Sequence, residues 1–300
     1  MKWLARHLFS IGRPDSLGQA IYFKLIEVYV LYYVITWAWK WGRYMQSIEG
    51  VVHPLGIANH IDVTFMYGSN VSLWNAAFLS LMVLLGFFRV APRVTWSLAM
   101  LSFHLHYASR YVLGEICHSS NFVGMSVLAF AAAAWVTHDP LMRRRTALGL
   151  MYFYLGLAYF LGGMSKLVAS GGNWAHGSHL WLWISEKSVD FFSKFGYYEM
   201  NWIQELAVNH LVIATLLLAG GLIVELLGVL LWFRVTRPYA ALAAIGLHLG
   251  IHFAMNILFD MFIYQLLLIG FHWDDLLDRW AKRWSPRTRE RVHALAMRFA

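Results

Sequence analysis

The chain has 300 residues, of which 59% are hydrophobic and only 13% charged, with a mean hydropathy of +0.53 and a formal net charge of +8. A soluble domain carries about 25% charged residues, so this composition excludes a water-facing globule and points to a polytopic protein in a lipid bilayer. The basic residues sit in short segments between apolar runs, which reads as membrane topology and not as nucleic-acid binding.

Eight apolar segments follow in chain order, near 19–42, 71–88, 94–112, 120–137, 147–165, 206–233, 238–256 and 258–273. Such lengths suit helices crossing about 30 Å of hydrocarbon at about 1.5 Å per residue. They do not alternate apolar with polar, which argues against β-barrel strands. The first run is long enough to span, so no cleavable signal peptide is expected. The last two runs are separated only by a short break around Asn256 and Asp260, and form either a tight helical hairpin or a re-entrant pair. The predicted fold is an all-α transmembrane bundle over 19–273, between an N-terminal segment 1–18 and a basic tail 274–300.

The connections test the count. Lys2, Arg6 and Arg13 precede the first segment, Arg89 and Arg93 follow the second, Arg143, Arg144 and Arg145 follow the fourth, and Arg234 and Arg237 follow the sixth. The tail carries Arg279, Lys282, Arg283, Arg287, Arg289, Arg291 and Arg298. Every second connection is therefore basic. The others hold acids such as Glu49, Asp62, Glu115, Glu186, Asp190, Glu199 and Glu205. The positive-inside rule then puts both termini in the cytoplasm, with an even number of spans. The tail reads as a basic amphipathic helix on the anionic inner leaflet or as a topology anchor. Two outer connections are long, near 43–70 and 167–205, and Trp181, Trp183 and Trp202 in the second suit an interfacial helix. The one cysteine, Cys117, excludes an intrachain disulfide framework.

This orientation gathers polar residues at the outer end. Lys166 ends the fifth span there, Arg110 and Glu115 follow the third, and His118 and Asn121 open the fourth. His210 lies near the outer start of the sixth span, and His252, Asn256 and Asp260 lie at the end of the seventh. Ionisable groups within spans are costly and mark candidate sites. Lys166 has two readings: a lysine in a dry pocket, able to act as a general base, or a snorkelling lysine at a helix end. His248 and His252 share a helix face, but no His-His pair accompanies them, so no metal site is expected and interhelical hydrogen bonds are the simpler reading. His176 and His179 read as loop contacts, whereas His104 and His106 in the third span have no assigned role. Lys24 and Glu27, three apart, are expected to pair on one helix face, and Glu225, deep in the sixth span, to face other helices. No nucleotide-binding loop, CxxC pair or zinc-protease helix motif occurs.

The stretch Tyr159-Phe160-Leu161-Gly162-Gly163-Met164-Ser165-Lys166-Leu167, followed by Trp174 and Gly177, resembles the vitamin K-dependent γ-glutamyl carboxylase and the wider bacterial set of carboxylase-like membrane proteins, the HTTM family. His252 with Asn256, Leu258 and Phe259, Asn121 through Phe130, and Arg13-Pro14 match more weakly. The resemblance implies that Lys166 is the base that deprotonates reduced vitamin K or another quinol. It implies O2 and CO2 as co-reactants in a carboxylation of peptide glutamate. It places His252, Asn121 and His118 with Lys166 as catalytic residues, and Tyr159, Gly163, Trp174 and Asn256 around the cofactor. The sequence departs from the family where a histidine gives way to Asn121 and where Ser165 replaces a second lysine before Lys166. It shows no counterpart of the large lumenal domain of the carboxylase, so peptide recognition is expected from a partner. In size it resembles short bacterial members of the sporulation-delaying protein B type, which serve in maturation of a secreted toxin peptide.

Three functions are thus expected in order. The first is a quinol-linked enzyme of the bacterial plasma membrane, modifying an exported peptide or small molecule at the outer face. The second is a non-enzymatic component that matures or exports a secreted peptide with an accessory protein. A transporter comes last, because no internal repeat is visible.

Overall fold

A computed structural model describes residues 2–12, 14–50, 59–113 and 118–298. Arg13, Glu115 and Cys117 lie outside them, as does the side chain of His118. Among the described residues the fold is all-helical. Four stretches are long and apolar enough to cross a bilayer: Leu17–Gln46, Pro140–Ala175, Leu211–Trp232 and Arg237–Met255. Val71–Phe87, Asn121–Val136 and Asp260–Ile269 are apolar and shorter. The chain divides into two units, residues 1–151 with 272–300, and residues 152–271.

The first unit holds α1 (Lys2–Leu8), α2 (Leu17–Gln46), α3 (Val71–Phe87), α4 (Pro92–Val112), α5 (His118–Val136), the start of α6 (Pro140–Ser170), and, after the second unit, α12 (Trp273–Ala281) and α13 (Pro286–Arg298). Ser16 starts α2 by accepting the Gln19 amide on its hydroxyl, 3.1 Å away. Ile26, Val30, Val34 and Ala38 recur every fourth residue and are wholly buried, which makes α2 the central helix against which α3, α4, α5 and α12 pack. The α3–α4 turn is tight: Arg89 and Ala91 take positive φ, and Pro92 opens α4.

Polar side chains join the helices of this unit where apolar packing alone gives no register. His106 is fully buried, and its Nε2 bonds the Ala38 carbonyl at 3.1 Å. A carbonyl only accepts, so Nε2 carries the proton and Nδ1 accepts from Asn75 Nδ2 at 2.5 Å. Ser102 completes the set by donating to Asn75 Oδ1 at 2.8 Å. His106 therefore ties α2, α3 and α4 together, while the exposed His104 turns back to the Met100 carbonyl. Lys24 and Glu27 pair as the spacing predicts, at 2.5 Å, and Arg89 joins them at 2.7 Å.

The tail is helical, as one of its two readings expects. It forms two helices, broken at Ser285-Pro286, and both pack on α2. Asp278 accepts the Gly18 amide at 2.6 Å, and Asp274 is buried. The acids of α12, which a count of basic residues overlooks, fix it to the first turn of α2.

The second unit holds the rest of α6, α7 (Gly177–Phe195), α8 (Trp202–Asn209), α9 (Leu211–Leu226), α10 (Arg237–Met255) and α11 (Asp260–Ile269). The sixth apolar run is not one helix. A capping box of Asn201 and Gln204 starts α8, His210 is extended, and α9 ends in a 3-10 stretch from Leu227 to Trp232. The last two runs form a helical hairpin. Asn256 stops α10 in the left-handed conformation, and Gly270 at the far end of α11 returns to Ala241 near the start of α10. At about 1.5 Å per residue α11 covers roughly 15 Å, half of a bilayer core. Trp181 and Trp183 pack into the core formed by Leu180, Ile184, Ala207 and Ala214, and only Trp202 stands well exposed as an interfacial residue would.

Candidate functional site

Gly156, Tyr159, Gly163 and Lys166 fall at spacings of three, four and three on α6, so they share one face. That face meets the second half of α9 and the 3-10 stretch beyond it. A Cβ on Gly156 would stand 2.8 Å from the Gly228 carbonyl, and one on Gly228 would stand 2.9 Å from the Gly156 carbonyl. The two backbones approach closely because neither residue has a side chain. Trp232 locks the crossing by donating Nε1 to the Phe153 carbonyl at 3.1 Å. One step along, Gly163 rests against Leu226.

Two polar pairs lie on this face. The Tyr159 hydroxyl and His248 Nε2 are 2.6 Å apart and buried, with the imidazole stacked on Phe262 at 5.1 Å between ring centroids. Lys166 Nζ bonds both carboxylate oxygens of Glu225. Its ammonium also lies 4.8 Å over the Trp174 ring, which the turn Gly171–Ala175 places there. The Lys166 side chain is 28% exposed and that of Glu225 15%. Tyr159 and Lys166 are seven residues apart on α6, so the two pairs lie along one polar stripe. A Cβ on Gly162 would stand 4.0 Å from the Glu225 carboxyl carbon, which leaves the carboxylate approachable beside the ion pair.

Lys166 is therefore neither an isolated amine nor a snorkelling lysine at a helix end. Its partner stands about 21 Å along α9 from Leu211, at 1.5 Å per residue, inside an apolar stretch. Tyr159 and Gly163 lie on the same face of α6 as Lys166, and Trp174 lies against its ammonium. Asn256 serves elsewhere in the unit, capping α10 and donating to the Tyr198 hydroxyl at 3.3 Å. His252 has its Nδ1 buried with no hydrogen-bond partner, and its carbonyl accepts the Asn256 amide at 2.8 Å. His248 and His252 thus have different surroundings despite sharing a helix. Asn121, half-buried, and His118, the first residue of α5, belong to the first unit and are not among the residues the second unit brings together. His176 accepts the Ser178 amide to start α7, and His179 donates to the Trp174 carbonyl at 3.0 Å.

The partners Glu225 and His248 are the residues that sequence reasoning left out of the site. The two-glycine stripe ending on Lys166 is the signal that marks the face; nothing local to Glu225 names its partner across 59 residues. No protein-family model matches the sequence, and neither a curated protein nor a solved structure matches it.

Proposed function

We propose that the chain is an integral protein of the bacterial plasma membrane, its four long apolar helices, its three shorter apolar helices and α4 making the eight segments of the bundle, with both termini in the cytoplasm. The basic residues on alternate connections support that orientation. Lys166 stands one apolar run beyond the basic connection of Arg143, Arg144 and Arg145, which on that orientation supports a site towards the non-cytoplasmic side.

The reading of the site is proton transfer to or from a hydrophobic hydroxyl compound of the quinol class, in a carboxylase-like enzyme acting on an exported peptide or small molecule. The observation that carries it is the Lys166–Glu225 pair, an accessible acid and base within apolar helices. The residues fit such a group: the pair offers a donor and acceptors for a hydroxyl, and Trp174 an aromatic face. A reduced quinone, when bound, supplies the electrons for reaction with O2 that drives attachment of CO2. Lys166 and Glu225 set a proton donor and an acceptor side by side. Trp174 holds the ammonium in place, and Tyr159 with His248 closes the inner end of the stripe.

The test is quinol-dependent O2 uptake by the full chain in proteoliposomes. Lys166→Arg keeps the ion pair but holds its proton. Turnover falls by about 100-fold or more if the amine is the base, while the melting temperature stays near that of the parent. Full activity in this variant ends the base assignment. A second reading is favoured by the pairing itself, because an ion pair between α6 and α9 also serves as a structural clamp. On that reading the protein is a non-enzymatic component that matures or exports a secreted peptide with an accessory protein. Lys166→Arg then leaves every function intact, and only removal of one charge of the pair disturbs it.

A further inference from the structure

The first unit carries a polar site that this chemistry does not use. A groove of about 250 Å³ lies where α4 begins, α5 ends and α6 begins, lined by Pro92, Arg93, Val94, Ala134, His138 and Arg143. Arg93 is held in place on three sides. Its Nε donates to the Ala134 carbonyl at 3.1 Å, its Nη2 to His138 Nε2 at 2.5 Å, and its guanidinium lies 5.3 Å over the Trp135 ring. Arg143 donates Nη2 to the His138 carbonyl at 3.3 Å, and its Nε is buried with no hydrogen-bond partner.

The charges around the groove do not balance. The groups acting on Arg143 are Arg89, Arg93, Glu27 and Asp139. Glu27 is already engaged by Lys24 and Arg89, and Asp139 accepts the Met142 amide at 2.7 Å to cap α6. Two guanidiniums line one groove, and among the described residues neither is hydrogen-bonded to a carboxylate; such forks match phosphate oxygens. Apolar groups flank the groove: Val94 in the lining is 55% exposed, and Trp135, beneath the Arg93 guanidinium, 59%. An inorganic anion has no use for these groups, whereas acyl chains do.

We propose that this groove binds the phosphate headgroup of an anionic phospholipid, with Arg93 and Arg143 on the phosphate and the acyl chains along Val94 and Trp135. In the proposed orientation it opens to the cytoplasmic leaflet, and each arginine near an anionic surface is worth about fivefold in binding.

The full chain, purified in mild detergent and exchanged into mixed phosphatidylglycerol and phosphatidylcholine, is assayed for retained lipid by native mass spectrometry. The parent retains phosphatidylglycerol in preference to phosphatidylcholine. Arg93→Gln with Arg143→Gln lowers that preference at least about fivefold, while Arg283→Gln with Arg287→Gln on the exposed tail leaves it unchanged. If the groove variant keeps the parental preference, or the tail variant loses as much, the site is overturned. If millimolar inorganic phosphate protects the parent from thermal unfolding as well as phosphatidylglycerol does, the groove is a free-phosphate site and the lipid reading fails. Should the double glutamine variant not fold, Arg93→Lys and Arg143→Lys replace it: each keeps a charge but loses the fork and lowers the preference, and no change in either overturns the paired guanidiniums.

Discussion

Each unit places a carboxylate among apolar helices, and the two are handled differently. Glu27 in the first unit is wholly buried and is met by two cations, Lys24 and Arg89. Glu225 in the second unit is 15% exposed, and among the described residues the cation that meets it is Lys166. A buried charge is tolerable only when its partners replace the lost solvation. Glu27, overcompensated and sealed, is a pin that fixes the α3–α4 turn onto α2. Glu225, partly exposed and paired with Lys166, is the carboxylate on which the proposed proton transfer rests.

The largest effect should come from removing the pin. Glu27→Gln leaves two mostly buried cations side by side, and the loss is about 3–5 kcal/mol of stability, read as a fall in melting temperature in nanodiscs. A loss no greater than that of Glu225→Gln would erase the distinction between the units. Next is the helix crossing that sets up the second site. Gly156→Leu pushes into Gly228 and Trp232 and costs about 1–3 kcal/mol, and it also displaces Lys166 from Glu225. A variant of parental stability and activity would show that the close approach does not position the pair.

Glu225→Gln should cost less than either, about 1–2 kcal/mol, because Lys166 keeps its access and its aromatic partner. A double-mutant cycle with Lys166→Met measures the coupling, and no measurable coupling would remove the ion pair from the account. The smallest effect tests the first unit outside its helices. Burial pushes the Tyr67 hydroxyl up to about 12 from an ordinary 10.0, and it donates to the Ser109 carbonyl at 2.5 Å. The folded state thus holds the neutral phenol more strongly than the unfolded chain does. The stabilisation is fully present below pH 10 and declines as pH rises towards 12. Unfolding across that range should steepen in the parent and not in Tyr67→Phe; parallel profiles would count against it.

The membrane character, the all-helical fold and most helix positions were legible in the sequence, because apolar run length is a direct consequence of lipid thickness. Lys24 with Glu27 was legible for the same kind of reason: three residues apart on a helix, they have no other geometry open to them. The break at His210 was not, since the apolar run continues through it while the capping box of Asn201 and Gln204 decides where the helix begins. The docking of the tail on α2 was not legible from its positive charge, because the bond from the Gly18 amide to Asp278 joins residues 260 positions apart.

The candidate site divides in the same way. Composition and periodicity by themselves determined that an ionisable Lys166 stands within apolar helices near two glycines, because those are properties of one segment. Only the tertiary structure decided that Glu225 meets it, that His248 meets Tyr159, and that His252 and Asn256 serve the end of α10. The physical reason is range. Helix formation and membrane insertion are settled by neighbours within a few turns, whereas the pairing of charges depends on which helix faces make contact. Here Gly156 and Gly228 set that contact by letting two backbones touch.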